Sequence, residues 1–445
     1  MLVSIRRHIR QHFENSLFAN SYILLLMRLV GPGGSFIFWA LAARMMSSSE
    51  LGLASGAVTS AGLLAGLAQM GAGYVIVRYL PQSADPSKLI SLSMELVFLG
   101  ACVLGAVYLV GLAFWSPELL SLRQSWYTAL SYILLTLAYA IFQLLNWMFL
   151  ARRRPVYSLL KNAIQTVLSI LFLLLFAQRL SGFMSGLVAY VLSIALGLAV
   201  ALRFFLPGSE SKFRFRFVRP QIRWSSAKKY AFVNYVADQV QRSPDSIIPL
   251  LVINLMGSGS GAFFFVAWTV TAGLQSLTGA ISPSLFAEGA NRPELAKEYA
   301  KKSVLFGLVM AGVATLVMLL AGPFILALFG AGYRVSAGPL LLILTAAIVP
   351  GSVFPIFLSL LRVTDRLKSL ICVASFSWLS GISFVYAGSA LGGLDGAGTG
   401  WFASRLAVLA LILVLWRRQL RQPDASIASG RDDHSRKQVI EGAVS

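Results

Sequence analysis

Histidine and cysteine are scarce in this sequence, and each scarcity excludes a class of chemistry. The chain has 445 residues but three histidines and two cysteines. His8, His12 and His434 lie in the terminal segments, which excludes a histidine relay or metal site within the apolar part of the chain. Cys102 and Cys372 are solitary thiols in apolar stretches, where cysteine usually packs as a small apolar residue, so neither a disulfide nor a metal site is predicted.

Catalytic motifs and long polar segments are also missing. The sequence has no phosphate-binding loop, no metal-ligand cluster and no nucleophile motif. Connections such as 44–50 and 330–338 are turns, so there is no room for a soluble catalytic domain. The predicted outer connections offer only Glu50, Glu118 and Asp395 as carboxylates, which argues against a membrane glycosyltransferase or ligase. We therefore predict that the protein is not an enzyme and holds no cofactor, a H⁺ or Na⁺ gradient being its possible energy source.

Long apolar runs fill almost the whole chain. Hydrophobic residues make up 57% of the sequence and charged residues 12%, with a mean hydropathy of +0.75. About 20 apolar residues in a helix cross the ~30 Å hydrocarbon core of a bilayer. We therefore predict an all-α, polytopic membrane protein with about twelve transmembrane helices.

The basic residues lie mostly in every second connection between the spans. Of 37 Lys and Arg residues, 30 fall in the N-terminal segment, the even-numbered connections and the C-terminal tail, when Lys161 is counted with the fourth connection. The positive-inside rule then places both termini in the cytoplasm. The net charge of +20 is explained by contact with anionic lipid head groups and not by binding of nucleic acid. Arg6, Arg7 and Arg10 precede the first span without a cleavage motif, so we predict that this span is retained.

The spans divide into two related halves at an offset of about 210 residues. Residues 44–52 and 254–261 each end the first span of a half, and each segment precedes a helix rich in small residues. Six spans is an even number, so the repeat is parallel, as in transporters that work by alternating access. The predicted organisation is an N-terminal six-helix lobe at 1–202, a basic cytoplasmic linker at 203–229, a C-terminal six-helix lobe at 230–417 and a disordered cytoplasmic tail at 418–445.

Glycine and proline interrupt the first span of each half at matching positions. They are Gly31, Pro32, Gly33 and Gly34 in the first span and Pro244 in the seventh. Proline removes a helix hydrogen bond and glycine loosens the helix. Matching breaks of this kind predict a binding site or a gating element. A simple packing kink is the alternative.

Ionisable residues inside the spans supply candidates for cation coupling. Asp238, Arg242 and Asp245 in span seven are spaced i, i+4, i+7 and so share one helix face. Their net charge of −1 leaves one carboxylate suited to carrying a proton or Na⁺, unless the cluster is a static set of ion pairs. Glu95 in span three is a further candidate, and it lies either at depth or at the interface.

Three arginines are candidates for binding an anionic substrate. Arg28 corresponds in the repeat to Asp238 and could bind phosphate oxygens, pair with Asp238 as a gate, or extend to the interface. Arg405 near the middle of span twelve and Arg242 are the other two. Arg78 closes span two, where a topological anchor or a gating contact is favoured over a ligand.

Four segments of the chain resemble motifs of a known family. Residues 41–52, 68–81, 242–251 and 328–337 are similar in order to motifs of the polysaccharide and oligosaccharide (O-antigen flippase-like) family. That family belongs to the multidrug/oligosaccharidyl-lipid/polysaccharide (MOP) exporter superfamily. The resemblance covers about residues 15–420. It implies a MATE-like fold, two pseudo-symmetric six-helix lobes around a central cavity, in the bacterial cytoplasmic membrane.

The resemblance also implies a function. Members export lipid-linked oligosaccharides, typically on undecaprenyl pyrophosphate, driven by a cation gradient. The implied partners are this substrate, membrane lipids, a polysaccharide polymerase and glycosyltransferases. A multidrug or cation antiporter of the same superfamily is the alternative, and it would need a net acidic cavity. A non-transporting scaffold is disfavoured by the paired helix breaks.

Overall fold

The computed structural model describes residues 16–180, 182–210, 213–216, 225–278, 296–364 and 366–421, and no strand occurs within these ranges. The helices in chain order are α1 (Ser16–Met45), α2 (Ser48–Ala68), α3 (Ala72–Tyr79), α4 (Pro86–Val110), α5 (Leu112–Trp115), α6 (Trp126–Ala151), α7 (Pro155–Phe176), α8 (Phe183–Val200), α9 (Leu206–Ser209), α10 (Ser225–Arg242), α11 (Pro244–Thr278), α12 (Ala296–Ala327), α13 (Ala331–Ser336), α14 (Gly338–Ala346), α15 (Ile348–Gly351), α16 (Val353–Val363) and α17 (Leu367–Arg421). We call α1–α8 the N-lobe and α10–α17 the C-lobe.

Most of the long helices are apolar enough to cross a membrane. Nine such helices occur within the described ranges. Two of them, α11 and α17, contain a sharp break, at Gly257 and at Gly392–Gly393. Each of these two helices therefore consists of two helical segments, which we call its arms. The protein is therefore an all-α, multi-pass membrane protein. The count of twelve spans and the cytoplasmic position of both termini stay predictions.

Glycine makes these two breaks possible. Gly257 has a φ of 82° and Gly393 a φ of 59°, a region that residues with a Cβ rarely adopt. Across the second break, a Cβ on Gly388 would collide with the backbone oxygen of Gly396, and a Cβ on Gly396 with that of Gly388. The two arms of α17 therefore pack backbone against backbone, as small residues allow in membrane helices.

Replacing Gly396 with alanine is expected to destabilise the C-lobe. The new Cβ would meet the backbone oxygen of Gly388, which cannot rotate away, and overpacking of this kind costs about 1–3 kcal/mol. Thermal unfolding of the purified protein should give a lower Tm for Gly396→Ala. Gly392→Ala is the control, because its Cβ would have no neighbour within 4 Å. Equal Tm values for the two variants would contradict the close approach of the arms.

The first span is continuous in the structure and shows no backbone break at Gly31–Gly34, and the binding or gating role predicted for these residues stays a prediction. α1 is helical throughout, with Pro32 inside it. One missing hydrogen bond does not open a membrane helix whose neighbours hold it in place. Gly31 and Gly33 have open space where a Cβ would lie, whereas a Cβ on Gly34 would collide with Thr166 of α7. These residues therefore bring α1 close to α7 and leave space beside it.

The break in this half lies instead in the second predicted span. α2 ends at Ala68 and α3 begins at Ala72, and between them Met70 and Gly71 have φ values of 45° and 85°. A Cβ on Gly71 would be only 3.0 Å from the backbone oxygen of Ala231 in α10. Both the positive φ and this close approach require glycine. Because the residues on either side are apolar, the sequence reads as one continuous span and does not reveal this break.

Part of the predicted basic linker runs along α4. The backbone N–H groups of Arg214 and Arg216 donate to Ser87 Oγ at 3.3 Å and Ser91 Oγ at 3.2 Å. Alternate residues therefore face α4, as expected of an extended segment. Linker residues 217–224 and the predicted disordered tail beyond residue 421 lie outside the described residues.

Candidate functional site

Polar contacts join the two lobes at the end of the molecule that the charge pattern predicts to be outer. The Oγ atoms of Ser49 and Ser258 are 2.7 Å apart, and the Ser258 N–H donates to Glu118 Oε2 at 3.2 Å. Asn254 Oδ1 accepts from the Glu118 N–H at 3.3 Å, and Asn254 Nδ2 donates to Ser116 Oγ at 3.0 Å. We call these five residues the outer junction, because each of these bonds crosses between the lobes.

The lobes are in backbone contact beside the outer junction. A Cβ on Gly52 would collide with the backbone oxygen of Ser258. Arg44 at the end of α1 donates to the Leu328 oxygen at 2.6 Å and to the Ala327 oxygen at 3.2 Å. These carbonyls end α12, where a cation interacts favourably with the helix dipole. The contacts close this end of the space between the lobes.

A cavity of about 440 Å³ lies between the lobes, beyond the outer junction. We call it the interlobe cavity. Its polar lining residues are Gln69, Tyr74, Gln143, Asn146, Tyr235, Asp238, Gln239, Arg242, Ser243, Asp245 and Ser246. At its edge α10 bonds to the end of α2, since Tyr235 Oη donates to the Leu67 oxygen at 2.8 Å and Gln239 Nε2 to the Gly66 oxygen at 3.3 Å. Backbone and side-chain groups of both lobes thus enclose a polar space.

The three charged residues predicted for span seven all line this cavity. The chain turns at Ser243 between α10 and α11, with Pro244 as the first residue of α11. Arg242 Nε lies 2.7 Å from Asp238 Oδ1, and the Arg242 side chain is still 71% exposed. Asp245 is exposed in the first turn of α11 and forms no salt bridge within the described part of the chain. The cavity therefore holds an ion pair and one further carboxylate.

A second cavity, of about 340 Å³, lies inside the N-lobe. We call it the N-lobe cavity, and the central parts of α1, α6, α7 and α8 form it. Its lining residues are Gly31, Pro32, Gly34, Ser35, Phe38, Tyr139, Phe142, Gln143, Asn146, Asn162, Gln165, Thr166, Ser169, Tyr190 and Ile194. None of these residues is charged. Gln143 and Asn146 line both cavities, so the two spaces share a wall.

Lys161 is fully buried in the N-lobe, which corrects its assignment to the fourth connection. Its side chain is 0% exposed. Lys161 Nζ donates to the Phe142 oxygen at 3.0 Å and to Asn162 Oδ1 at 3.1 Å, and it lies 3.0 Å from the centre of the Phe142 ring. Its position about one turn into the predicted span was the reason for counting it with the connection. Its side chain instead joins α7 to α6.

Two predicted site residues, Glu95 and Arg78, lie away from both cavities. The side chain of Arg28, in α1, lies outside the described residues. Glu95 is half-buried in α4, and Arg78 is exposed at the end of α3, with its guanidinium 5.6 Å from the ring centre of Tyr79. Neither Glu95 nor Arg78 lines the interlobe or the N-lobe cavity. Their predicted roles in coupling and gating stay predictions.

Arg405 is buried inside the C-lobe and also lines neither cavity. Its guanidinium carbon lies 4.0 Å from the ring centre of Trp401. Its Nη2 donates to the Ser377 oxygen and to Ser404 Oγ, both at 3.3 Å. These contacts join the two arms of α17. The predicted contact of Arg405 with a substrate stays a prediction.

The polar face of α7 was missed by reasoning from the sequence. Asn162, Gln165, Thr166 and Ser169 recur at i, i+3, i+4 and i+7, which places them on one helix face. A search for ionisable residues at membrane depth does not find uncharged amides and hydroxyls. The spacing itself was the signal that could have revealed the N-lobe cavity.

The fold is similar to that of solved transporters of the MOP superfamily. One similar solved structure is titled "Lipid II flippase MurJ, inward closed conformation", with a TM-score of 0.70 and 13% identity over 90% of this chain and 87% of that one. Another is an inward-facing multidrug resistance MATE family transporter of the MOP superfamily, with a TM-score of 0.63 and 14% identity over 88% of this chain and 97% of that one. A MOP superfamily transporter from Pyrococcus furiosus, described as having a binding pocket of reverse polarity, has a TM-score of 0.55 and 12% identity over 90% and 95% of the two chains.

The family follows from the sequence match. The profile of the family described as "Polysaccharide biosynthesis protein" matches residues 17–281, more than half of the chain, so the chain belongs to this family. Comparison with curated proteins gave no match. The predicted family is thus confirmed.

Proposed function

We propose that the protein flips lipid-linked oligosaccharides across the bacterial cytoplasmic membrane, for the biosynthesis of a polysaccharide, O-antigen or exopolysaccharide. The proposed carrier is undecaprenyl pyrophosphate. The observation that carries the proposal is the interlobe cavity, a polar space with an exposed arginine in a chain of the polysaccharide biosynthesis family. A pyrophosphate-sugar head group cannot cross hydrocarbon unaided, whereas its lipid tail can stay in the bilayer.

Arg242 is the residue in this cavity best suited to the pyrophosphate. Its Nε is bound to Asp238 at 2.7 Å, while the side chain is 71% exposed. The remaining N–H donors of the guanidinium can therefore bind two phosphate oxygens at once. Gln143 lines the same cavity and can supply a further amide donor.

Asp245 is the residue best suited to cation coupling. It lines the same cavity, and because Asp238 is paired with Arg242, Asp245 is the one carboxylate of this cavity that forms no salt bridge among the described residues. Binding of H⁺ or Na⁺ at Asp245 would change the charge of the cavity from −1 to neutral. The charge of a cation bound at Asp245 would then affect the binding of a substrate anion in the same cavity.

One observation favours the alternative, a multidrug or cation antiporter. Asp238 and Asp245 outnumber Arg242 in the interlobe cavity, and a negative cavity attracts cationic drugs. Increased resistance to cationic drugs on overexpression, together with unchanged glycan export, would support this alternative. Loss of glycan export on deletion, with unchanged drug resistance, would support the flippase.

Replacing Arg242 with alanine is expected to lower glycan export about tenfold or more, because a charge-assisted bidentate contact contributes about 1.5–3 kcal/mol. The measurement is accumulation of undecaprenyl-linked glycan on the cytoplasmic leaflet in a deletion strain that carries the variant gene. Arg28→Ala, from the sequence-based prediction, should likewise abolish export while leaving the protein inserted.

Lys302→Ala provides a matched control. Lys302 and Glu298 form an i,i+4 ion pair of 2.7 Å, and Lys302 is 71% exposed, so the pair has the same length and spacing as Arg242 and Asp238 but lies away from both cavities. This variant should restore export in full. Equal export by Arg242→Ala and Lys302→Ala would remove Arg242 from the site.

A further inference from the structure

The lining of the N-lobe cavity has the composition of a sugar site. Asn162, Gln165 and Thr166 contribute amide and hydroxyl groups from α7, and Gln143 and Asn146 add two amides from α6. Side-chain amides both donate and accept hydrogen bonds. Sugar hydroxyl groups also do both, so an amide can bind a hydroxyl group in either sense.

Aromatic rings complete the lining of this cavity. The ring centres of Phe38 and Tyr190 lie 5.5 Å apart, and those of Tyr139 and Tyr190 lie 6.4 Å apart. An aromatic face offers apolar area and a partial negative charge, which suits the C–H groups on one face of a pyranose ring. The cavity thus combines amide donors and acceptors with rings on which a sugar can stack.

Charge and position separate the roles of the two cavities. No residue lining the N-lobe cavity is charged, so it offers no cationic partner to a pyrophosphate. Its volume of about 340 Å³ is within the range typical of small-ligand sites. Because Gln143 and Asn146 line both cavities, a pyrophosphate near Arg242 can extend its sugar past this shared wall.

We propose that the N-lobe cavity binds a neutral or N-acetylated sugar of the lipid-linked glycan, an inference that rests on the proposed flippase function. The pyrophosphate then occupies the interlobe cavity. Asn146 Oδ1 is buried and has no hydrogen-bond partner among the described residues. An unsatisfied acceptor in a shared wall is what a hydroxyl or N-acetyl N–H of the ligand would bind.

Lys161 acts in this site as a positioning residue. Its Nζ donates to Asn162 Oδ1, so the Nδ2 donor of Asn162 is left for the ligand. The same Nζ donates to the Phe142 oxygen, which fixes α7 against α6. The buried Nζ therefore orients an amide without lining the cavity itself.

The test measures binding of two lipids to the purified full-length protein by native mass spectrometry. The probes are undecaprenyl pyrophosphate alone and undecaprenyl pyrophosphate that carries one N-acetylglucosamine. The wild type should bind the sugar-bearing lipid about tenfold more tightly, as one or two added hydrogen bonds provide. The double variant Asn162→Ala/Gln165→Ala should lose this preference and bind the sugar-free lipid as the wild type does. Ser158→Ala, on the same helix but outside the cavity, should keep the preference.

Lys161→Met tests the positioning role. It should reduce the preference for the sugar-bearing lipid, and combining it with Asn162→Ala should cause no further loss, because both changes remove the same oriented donor. Additive losses would show that Lys161 does not act through Asn162.

The results of these binding measurements distinguish the sugar site from the proposed flippase function. An unchanged sugar preference in Asn162→Ala/Gln165→Ala would overturn the sugar site and leave the proposed function standing. Failure of the wild type to bind either lipid would overturn the proposed function and this inference with it. If the double variant loses both lipids, it is misfolded. In that case Tyr190→Phe, which removes one hydroxyl group, is compared with the wild type for binding of the two lipids. A smaller preference for the sugar-bearing lipid supports the sugar site, and an unchanged preference overturns it.

Discussion

Replacing Gly52 with alanine is expected to stop transport while leaving the protein folded and inserted. Gly52 lies in α2, where a Cβ would collide with the backbone oxygen of Ser258 in the C-lobe. A backbone oxygen at the break of α11 cannot move as a flexible side chain would. The lobes must therefore separate at their outer ends to admit one methyl group.

The size of the effect follows from the contacts that this separation breaks. The bonds from Ser258 to Ser49 and to Glu118 both cross the same junction. Each hydrogen bond contributes about 0.5–1.5 kcal/mol, so losing both, with the packing around Gly52, costs about 2–3 kcal/mol. At 1.4 kcal/mol per factor of ten, the closed outer junction becomes roughly thirty- to a hundredfold less populated. A transporter that works by alternating access would then rarely return to the state that accepts substrate.

The measurement compares glycan export with the amount of inserted protein for Gly52→Ala and for Gly105→Ala. Gly105 is also a helical glycine of the N-lobe, but its Cβ would make only ordinary contacts at 3.9 Å. It should therefore export as the wild type does. Full export by Gly52→Ala at normal protein levels would show that the outer ends of the lobes do not need to meet.

The sequence predicted the fold well where a single physical constraint dominates. Length and hydropathy decide which segments can cross a bilayer, and the described helices agree with the predicted all-α membrane fold. It predicted helix breaks near Pro244, where one helix ends and the next begins, and at Gly31–Gly34, where the helix is continuous. The difference is physical, because glycine in a helix allows either a bend or a close approach. At Gly34 the neighbour Thr166 shows that close approach is the reason for the glycine.

The candidate site was only half predictable for a related reason. Asp238, Arg242 and Asp245 could be found because a charge at membrane depth needs an explanation. Uncharged polar groups such as Gln143 and Asn146 need none until the structure shows that they line both cavities. The charge of Arg405 also suggested a ligand, and the structure places its guanidinium against Trp401 inside the C-lobe, so its contact with a substrate stays a prediction.

Joining Ser49 to Ser258 by a disulfide is expected to abolish transport reversibly. The two Oγ atoms are 2.7 Å apart, so cysteines at these positions need little movement to form an S–S bond. The bond would hold the outer junction closed, and transport that requires this junction to open would stop. The effect should exceed that of any single substitution, because a covalent bond removes the open state instead of making it rarer.

The experiment uses a background in which Cys102 and Cys372 are replaced by alanine, since both are free thiols. Oxidised Ser49→Cys/Ser258→Cys protein should be inactive in glycan export, and reduction should restore activity. Ser49→Cys alone should show no response to oxidant. If the oxidised, cross-linked protein still exports glycan, then substrate does not leave between the outer ends of the two lobes, and the interlobe cavity is not its route.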